Sequence, residues 1–241
     1  LMIRRPPRST LSSSSAASDV YKRQLVDSVV RRSLVATGGT VLASKLAINY
    51  GIACNTAGGS HHAIYDEGAG FCVFNDLAYT AIRLIKEKLV KQVLILDLDV
   101  HQGDGTIDIC HKYSSIYTCS MHSETNFPYD KKQGWMDIGL PSHIEDHEYL
   151  NKLEETLEKI KQHITPDIVL YDAGVDIFQD DKLGNLQVSL EGIRQRDLIV
   201  LDHYRKLNTP VATVIGGGYS KDKEELAERH SIIFETAIKY L

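Results

Sequence analysis

The sequence predicts an α/β fold, a doubly wound parallel sheet, and three observations carry that prediction. Short continuous apolar runs recur at 93–96, 116–120, 168–172 and 211–215, rich in β-branched residues, as in strands buried on both faces. Amphipathic stretches separate them; over 147–163, Leu150, Leu153, Leu157 and Ile160 share one helical stripe while Glu and Lys fill the rest. Acidic and histidine residues gather where the runs end, and ligands of open α/β sheets bind at the carboxyl ends of the strands.

A length of 241 residues suits one large domain, and 43% hydrophobic with 24% charged residues is an ordinary globular balance. No run approaches the roughly 18 apolar residues of a membrane span. The four cysteines form no Cys-x-x-Cys pair and no finger-type spacing, so they read as core thiols in a reducing, cytoplasmic setting. Residues 1–24 stand apart. Their basic, Ser-rich, acid-poor composition has no apolar period; it resembles translated sequencing-adapter sequence, or else a transit peptide, and is expected to be a disordered, non-native leader. This leader holds five of the 27 basic residues and one of the 32 acids, so positions 25–241 are more acidic than the formal charge of −5 suggests. That disfavours a nucleic-acid surface.

From Leu25 onward each element has its signal. A helix is expected over 25–34, where Leu25, Val29 and Val30 share a face, then a tight turn at Thr37-Gly38-Gly39-Thr40 with Thr37 capping a helix through Tyr50. That turn lacks the lysine and spacing of a phosphate loop. A short strand at 52–55 leads to Gly58-Gly59-Ser60-His61-His62-Ala63. Adjacent histidines serve one centre only on a bent backbone, which Gly58 and Gly59 allow, and they suit either metal ligation or acid–base work. A glycine-bent apolar loop, 68–74, precedes Asn75 or Asp76 as the cap of a helix with Leu77, Ala81, Ile82, Leu84 and Ile85 in the core. The run at 93–96 enters Asp97, Asp99, His101 and Asp104, with Gly103 and Gly105 between. If the chain is still extended there, 97, 99 and 101 point to one side and can converge on a cation; helix capping is the plainer alternative. A polar loop then carries Phe127, Pro128 and Trp135. The run at 168–172 leads to Asp176, and 211–215 to Gly216-Gly217-Gly218-Tyr219, a loop able to bring a phenol close to a ligand. Helices over 190–207 and from the glycine loop to Leu241 complete the chain.

Five motifs in consecutive order resemble the histone deacetylase family, which has the arginase/deacetylase fold: Gly58-Gly-Ser-His-His-Ala63, Gly70-Phe-Cys-Val-Phe-Asn-Asp76, Asp97-Leu-Asp-Val-His-Gln-Gly-Asp-Gly105, Ala173-Gly-Val-Asp176 and Gly216-Gly-Gly-Tyr219. His101-Gln102, Asp181-Lys182-Leu183-Gly184 and Thr37-Gly-Gly-Thr40 resemble its class IV and related bacterial branch. The resemblance covers 25–241 as the catalytic domain. It implies one zinc ion held by Asp99, His101 and Asp176, with His62 as general base and acid and His61 as an electrostatic partner. Asp104 and Asp97 orient those two histidines in turn. It also implies Tyr219 as oxyanion donor, Gly70, Phe71 and Phe127 as tunnel wall, and Asp97 and Ser120 at a structural potassium. The implied reaction is hydrolysis of an acyl-lysine, or another acylated amine, by metal-activated water, with no direct part for nucleic acid or membrane. Family members carry strands and loops before the region matching Leu25, one bearing an acidic residue that grips substrate backbone; the leader stands in their place, so the domain is expected to be N-terminally truncated. An arginase-like binuclear manganese hydrolase and an inactive binding module are the alternatives.

Overall fold

A computed structural model describes the backbone of residues 13–240 and the side chains of 26–240. Six parallel strands form one sheet: β1 (Ile52–Cys54), β2 (Val93–Asp97), β3 (Ile116–Ser123), β4 (Met136–Leu140), β5 (Ile168–Asp172) and β6 (Val211–Val214), in the order β1-β6-β5-β2-β3-β4. The chain leaves β2 for β3 on one side and returns to place β5 on the other. That reversal opens a crevice beyond the carboxyl ends of β2 and β5.

Alternation along each strand sorts the core into two layers. Leu94, Leu96, Val169 and Tyr171 pack with α4 (Asp146–His163), α5 (Leu190–Lys206) and α6 (Lys223–Ala237). Val93, Ile95, Ile168 and Leu170 pack with α1 (Ser13–Tyr50), α2 (Asp76–Lys86) and α3 (Asp104–Cys110) on the opposite face. The doubly wound expectation holds, and Leu153, Leu157 and Ile160 are the buried stripe of α4. Among the described residues no helix is long and apolar enough to cross a membrane.

Three local expectations differ. The leader's disorder lies outside the described residues up to position 12, and from Ser13 the backbone is helical. The Thr37–Thr40 turn is absent, because α1 runs through it. Two helical glycines cost about 1 kcal/mol each, and a tertiary contact offsets that. A Cβ on Gly39 would stand 2.8 Å from Asn55 Oδ1, and Asn55 Nδ2 donates to the Ala36 carbonyl at 3.1 Å and to Thr40 Oγ1 at 2.9 Å. The Thr37 and Thr40 hydroxyls donate to the Ser33 and Ala36 carbonyls one turn back. Finally, the polar loop after β3 contains β4, an edge strand that is only partly buried and includes Gly139.

Candidate active site

The crevice collects side chains from five loops. Asp97 ends β2 and Asp172 ends β5, directly opposite each other in the register. Beyond them, Asp99, His101 and Asp176 form one buried group whose ligand atoms lie within 4.8 Å of one another, and His61, Asp97 and Asp172 form a second. The expectation that 97, 99 and 101 share a side therefore fails in part. β2 ends at Asp97 and the chain bends, so the period of two lapses and the three residues divide between the groups.

In the first group His101 Nδ1 is 3.0 Å from Asp99 Oδ1 and 3.1 Å from Asp176 Oδ2. Backbone amides orient the acids: His101 N–H donates to Asp99 Oδ1 at 2.9 Å, Gly217 N–H to Asp99 Oδ2 at 2.7 Å, and Val100 N–H to Asp176 Oδ1 at 2.9 Å. Burial and the Asp99 charge push Asp176 up to about 7. His101 rises to about 10, the two carboxylates outweighing its burial. Burial opposes ionisation of Asp99, yet His61 and His101 hold it below the usual carboxylate range. Two carboxylates with one imidazole form a donor set that would suit zinc with an open position.

The histidine pair is held from outside. Asn75 caps α2 by accepting from Ala78 N–H, and its amide donates to the carbonyls of His61 and Ala63 at 3.2 and 3.1 Å. Asp76 accepts from the Ser60 and Gly59 amides and the Thr40 hydroxyl. The bend uses Gly59 at φ +85°, where a Cβ would meet Gly216 Cα at 2.5 Å. Both imidazoles end up buried with ring centroids 4.1 Å apart, each on its own carboxylate: His61 Nδ1 to Asp97 Oδ2 at 2.8 Å, His62 Nδ1 to Asp104 Oδ1 at 2.6 Å. Their acidities move apart. Burial disfavours charge on His61, but Asp97 and Asp99 raise it well above the usual histidine range. Burial and the charge of His61 lower His62, against the pull of Asp104. Adjacent titratable groups driven in opposite directions mark an acid–base pair.

The other predicted residues surround this core. Phe127 stacks edge-on against His62 at 4.9 Å, and Phe71, largely exposed, faces the Tyr219 ring at 6.2 Å. Gly70 is positioned so that a Cβ would strike the His62 ring. Tyr219 lies 6.5 Å from the His101 ring, and burial with the nearby Asp99 and Asp176 raises its phenol far above normal. Ser120 is opposite Asp97 in the β2–β3 register, and its hydroxyl meets His122 Nδ1 at 3.0 Å.

Sequence reasoning missed Asp172. It is fully buried 4.0 Å from His61, with no hydrogen-bond partner for either oxygen, and burial together with Asp97 drives it well above the usual carboxylate range. Its signal was available, since it ends a strand next to the one that ends at Asp97. Asn75 and Asp76 were legible only as caps, not as the clamp on the histidine loop.

Residues 5–235 match the histone deacetylase domain. An uncharacterised protein of Picosynechococcus is 46% identical over 209 residues, covering 87% of this chain and 70% of that protein. Histone deacetylase 2 of Arabidopsis thaliana is 36% identical over 187 residues, which cover 76% of this chain and 48% of the relative. The crystal structure of a histone deacetylase homologue from Aquifex aeolicus superposes with a TM-score of 0.73 at 30% identity, over 85% of this chain and 56% of that one. The chain thus spans about half the length of these last two proteins.

Proposed function

The chain belongs to the histone deacetylase family, and we propose that it hydrolyses the amide of acyl-lysine, or of another acylated amine, with zinc held by Asp99, His101 and Asp176. The observation that carries this reading is geometric: two adjacent buried histidines, each on its own carboxylate, His61 on Asp97 and His62 on Asp104, at the edge of a carboxylate–imidazole group. When bound, the metal supplies Lewis-acid polarisation and a more acidic water.

The remaining work falls to the chain. Phe71 and Phe127 line the entrance, with Gly70 beneath, and admit a narrow acyl-amine stem. Tyr219, kept protonated, donates its O–H to the carbonyl oxygen as negative charge gathers there. His62, neutral, takes a proton from the attacking water, and Asp104 fixes its tautomer by accepting the Nδ1 proton. His61, protonated and paired with Asp97, offsets negative charge without donating to substrate. His62 then returns its proton to the leaving nitrogen, so an amine and a carboxylate depart. Asp97 and Ser120 are assigned to a structural potassium. Residues 25–241 are taken as carrying the catalytic residues, and the four unpaired cysteines suit a reducing, cytoplasmic setting.

Hydrolysis by zinc-loaded protein of acetyl-lysine peptide, long-chain acyl-lysine peptide and acetyl-polyamine, with and without chelator, tests the reading. Turnover on one of these, lost with chelator and reduced by orders of magnitude in His62→Ala while bound metal persists, is the expected result. Normal turnover in His62→Ala would remove the base assignment. A binuclear manganese reading draws on the second group, His61, Asp97 and Asp172; two bound metals per chain instead of one would favour it. One bound metal with no turnover of any substrate would favour the binding-module reading.

A further inference from the structure

Tyr219 follows three glycines, a backbone with no side chains of its own to anchor it. Its position is set from outside, and both of its backbone polar groups are gripped. The Tyr219 N–H donates to Asp181 Oδ2 at 2.7 Å. The Tyr219 carbonyl accepts from the Lys182 amide at 3.2 Å and from Arg229 Nη2 at 3.4 Å. The two grips are tied together, because Arg229 Nη1 donates to Asp181 Oδ2 at 3.0 Å and both side chains are at most 1% exposed. Asp181 Oδ1 is spent on the Leu183 and Gly184 amides at 2.9 and 3.1 Å, which fixes the carboxylate in its own loop. Arg229 lies over the Phe178 ring at 4.9 Å and pairs with Glu225 one turn back on α6.

A buried ion pair is poor evidence of stabilisation, since apolar residues of similar volume often do as well. What this pair supplies is direction: a planar guanidinium and a fully engaged carboxylate hold one peptide unit from two sides. Neither residue lines the cavity that His61, His62, Asp99 and Tyr219 share, and neither belongs to the carboxylate–imidazole groups.

We infer that Asp181 and Arg229 are a positioning pair that aims the Tyr219 phenol at the reacting carbonyl without touching substrate. The inference rests on the deacylation proposed above. Two other routes of action are open to these residues. They could support the fold at large, or Arg229 could act on Asp176 through the Val175 carbonyl, to which its Nη1 donates at 3.4 Å.

A double-mutant cycle on the zinc-loaded full chain separates the three. Asp181→Asn and Arg229→Lys are made alone and with Tyr219→Phe, and kcat, KM and bound zinc are measured for each. A misplacement of about 1 Å costs up to ~100-fold in rate, so each single variant is expected to lose roughly 10- to 100-fold in kcat. KM should stay within about twofold and bound zinc should be unchanged. In the Tyr219→Phe background, where no phenol remains to aim, the same substitutions should change the residual kcat by less than about twofold. Equal losses in both backgrounds overturn the inference, as does loss of zinc or an unchanged kcat in the single variants. If Arg229→Lys does not fold, Asp181→Asn, which keeps its shape, carries the cycle alone. If neither folds, the pair is a stability element and the inference falls. A wild-type chain without turnover on any acyl-amine overturns the deacylation reading and this inference with it.

Discussion

Replacing Asp104 by asparagine probes the division of labour between the two histidines. The Asp104 carboxylate lies 2.6 Å from His62 Nδ1, and its pull opposes the burial and the His61 charge that lower His62. Asparagine keeps the size and an accepting oxygen while removing the charge. A hydrogen bond to a charged group contributes about 1.5–3 kcal/mol, and each ~1.4 kcal/mol is tenfold in rate, so kcat should fall roughly 10- to 150-fold. The pH dependence has a definite sign. His62 works as a base only when neutral, and removing a neighbouring negative charge lowers its pKa further. The acid limb of the kcat/KM profile should therefore move to lower pH, as a smaller and earlier-rising curve. The assay is acyl-lysine hydrolysis by zinc-loaded protein across the acid range, with bound metal measured in parallel; Asp104 belongs to neither buried group, so metal content should hold. A kcat within about twofold of wild type, or an acid limb that stays in place or moves up, would refute the assignment of His62 as base.

Two further outcomes follow from the geometry. Asp176→Asn should weaken zinc by more than the roughly 10–100-fold that losing an outer partner costs; competition with a chelator measures it, and unchanged affinity would show that Asp176 is not a ligand. Gly59→Ala combines φ +85° with a Cβ 2.5 Å from Gly216 Cα, and overpacking together with left-handed strain should lower stability by about 2–4 kcal/mol. A denaturant midpoint equal to wild type would contradict that packing.

Which features the sequence announces depends on whether their cause is local. The runs ending at Asp97 and Asp172 read as strands because burial on both faces demands unbroken apolar side chains. β4 sits at the sheet edge, and Met136–Leu140 need not be apolar throughout, so its pattern is faint. Gly38-Gly39 looks like a break in any helix read alone; what keeps it helical is Asn55, the residue just past the following strand. The same holds in the site. The grouping of Asp99, His101 and Asp176 is legible through motif resemblance, whereas the period of two alone would have added Asp97 to it. Asp172 and Arg229 carry no motif, and their contacts exist only after strands and helices distant in sequence have met.

The order of the sheet has a consequence for how the molecule comes into being. Among the described residues β1 pairs only with β6, Ile52 opposite Val211, so two strands about 160 positions apart must meet before β1 is held. The histidine loop leaves β1, and the glycine loop against which Gly59 packs leaves β6. During synthesis His61 and His62 therefore lack their packing partner until β6 and its glycine loop have emerged. Sheets closed by such distant pairings fold slowly. The buried histidine–carboxylate cluster in this architecture forms late in assembly, together with the strand that seals it.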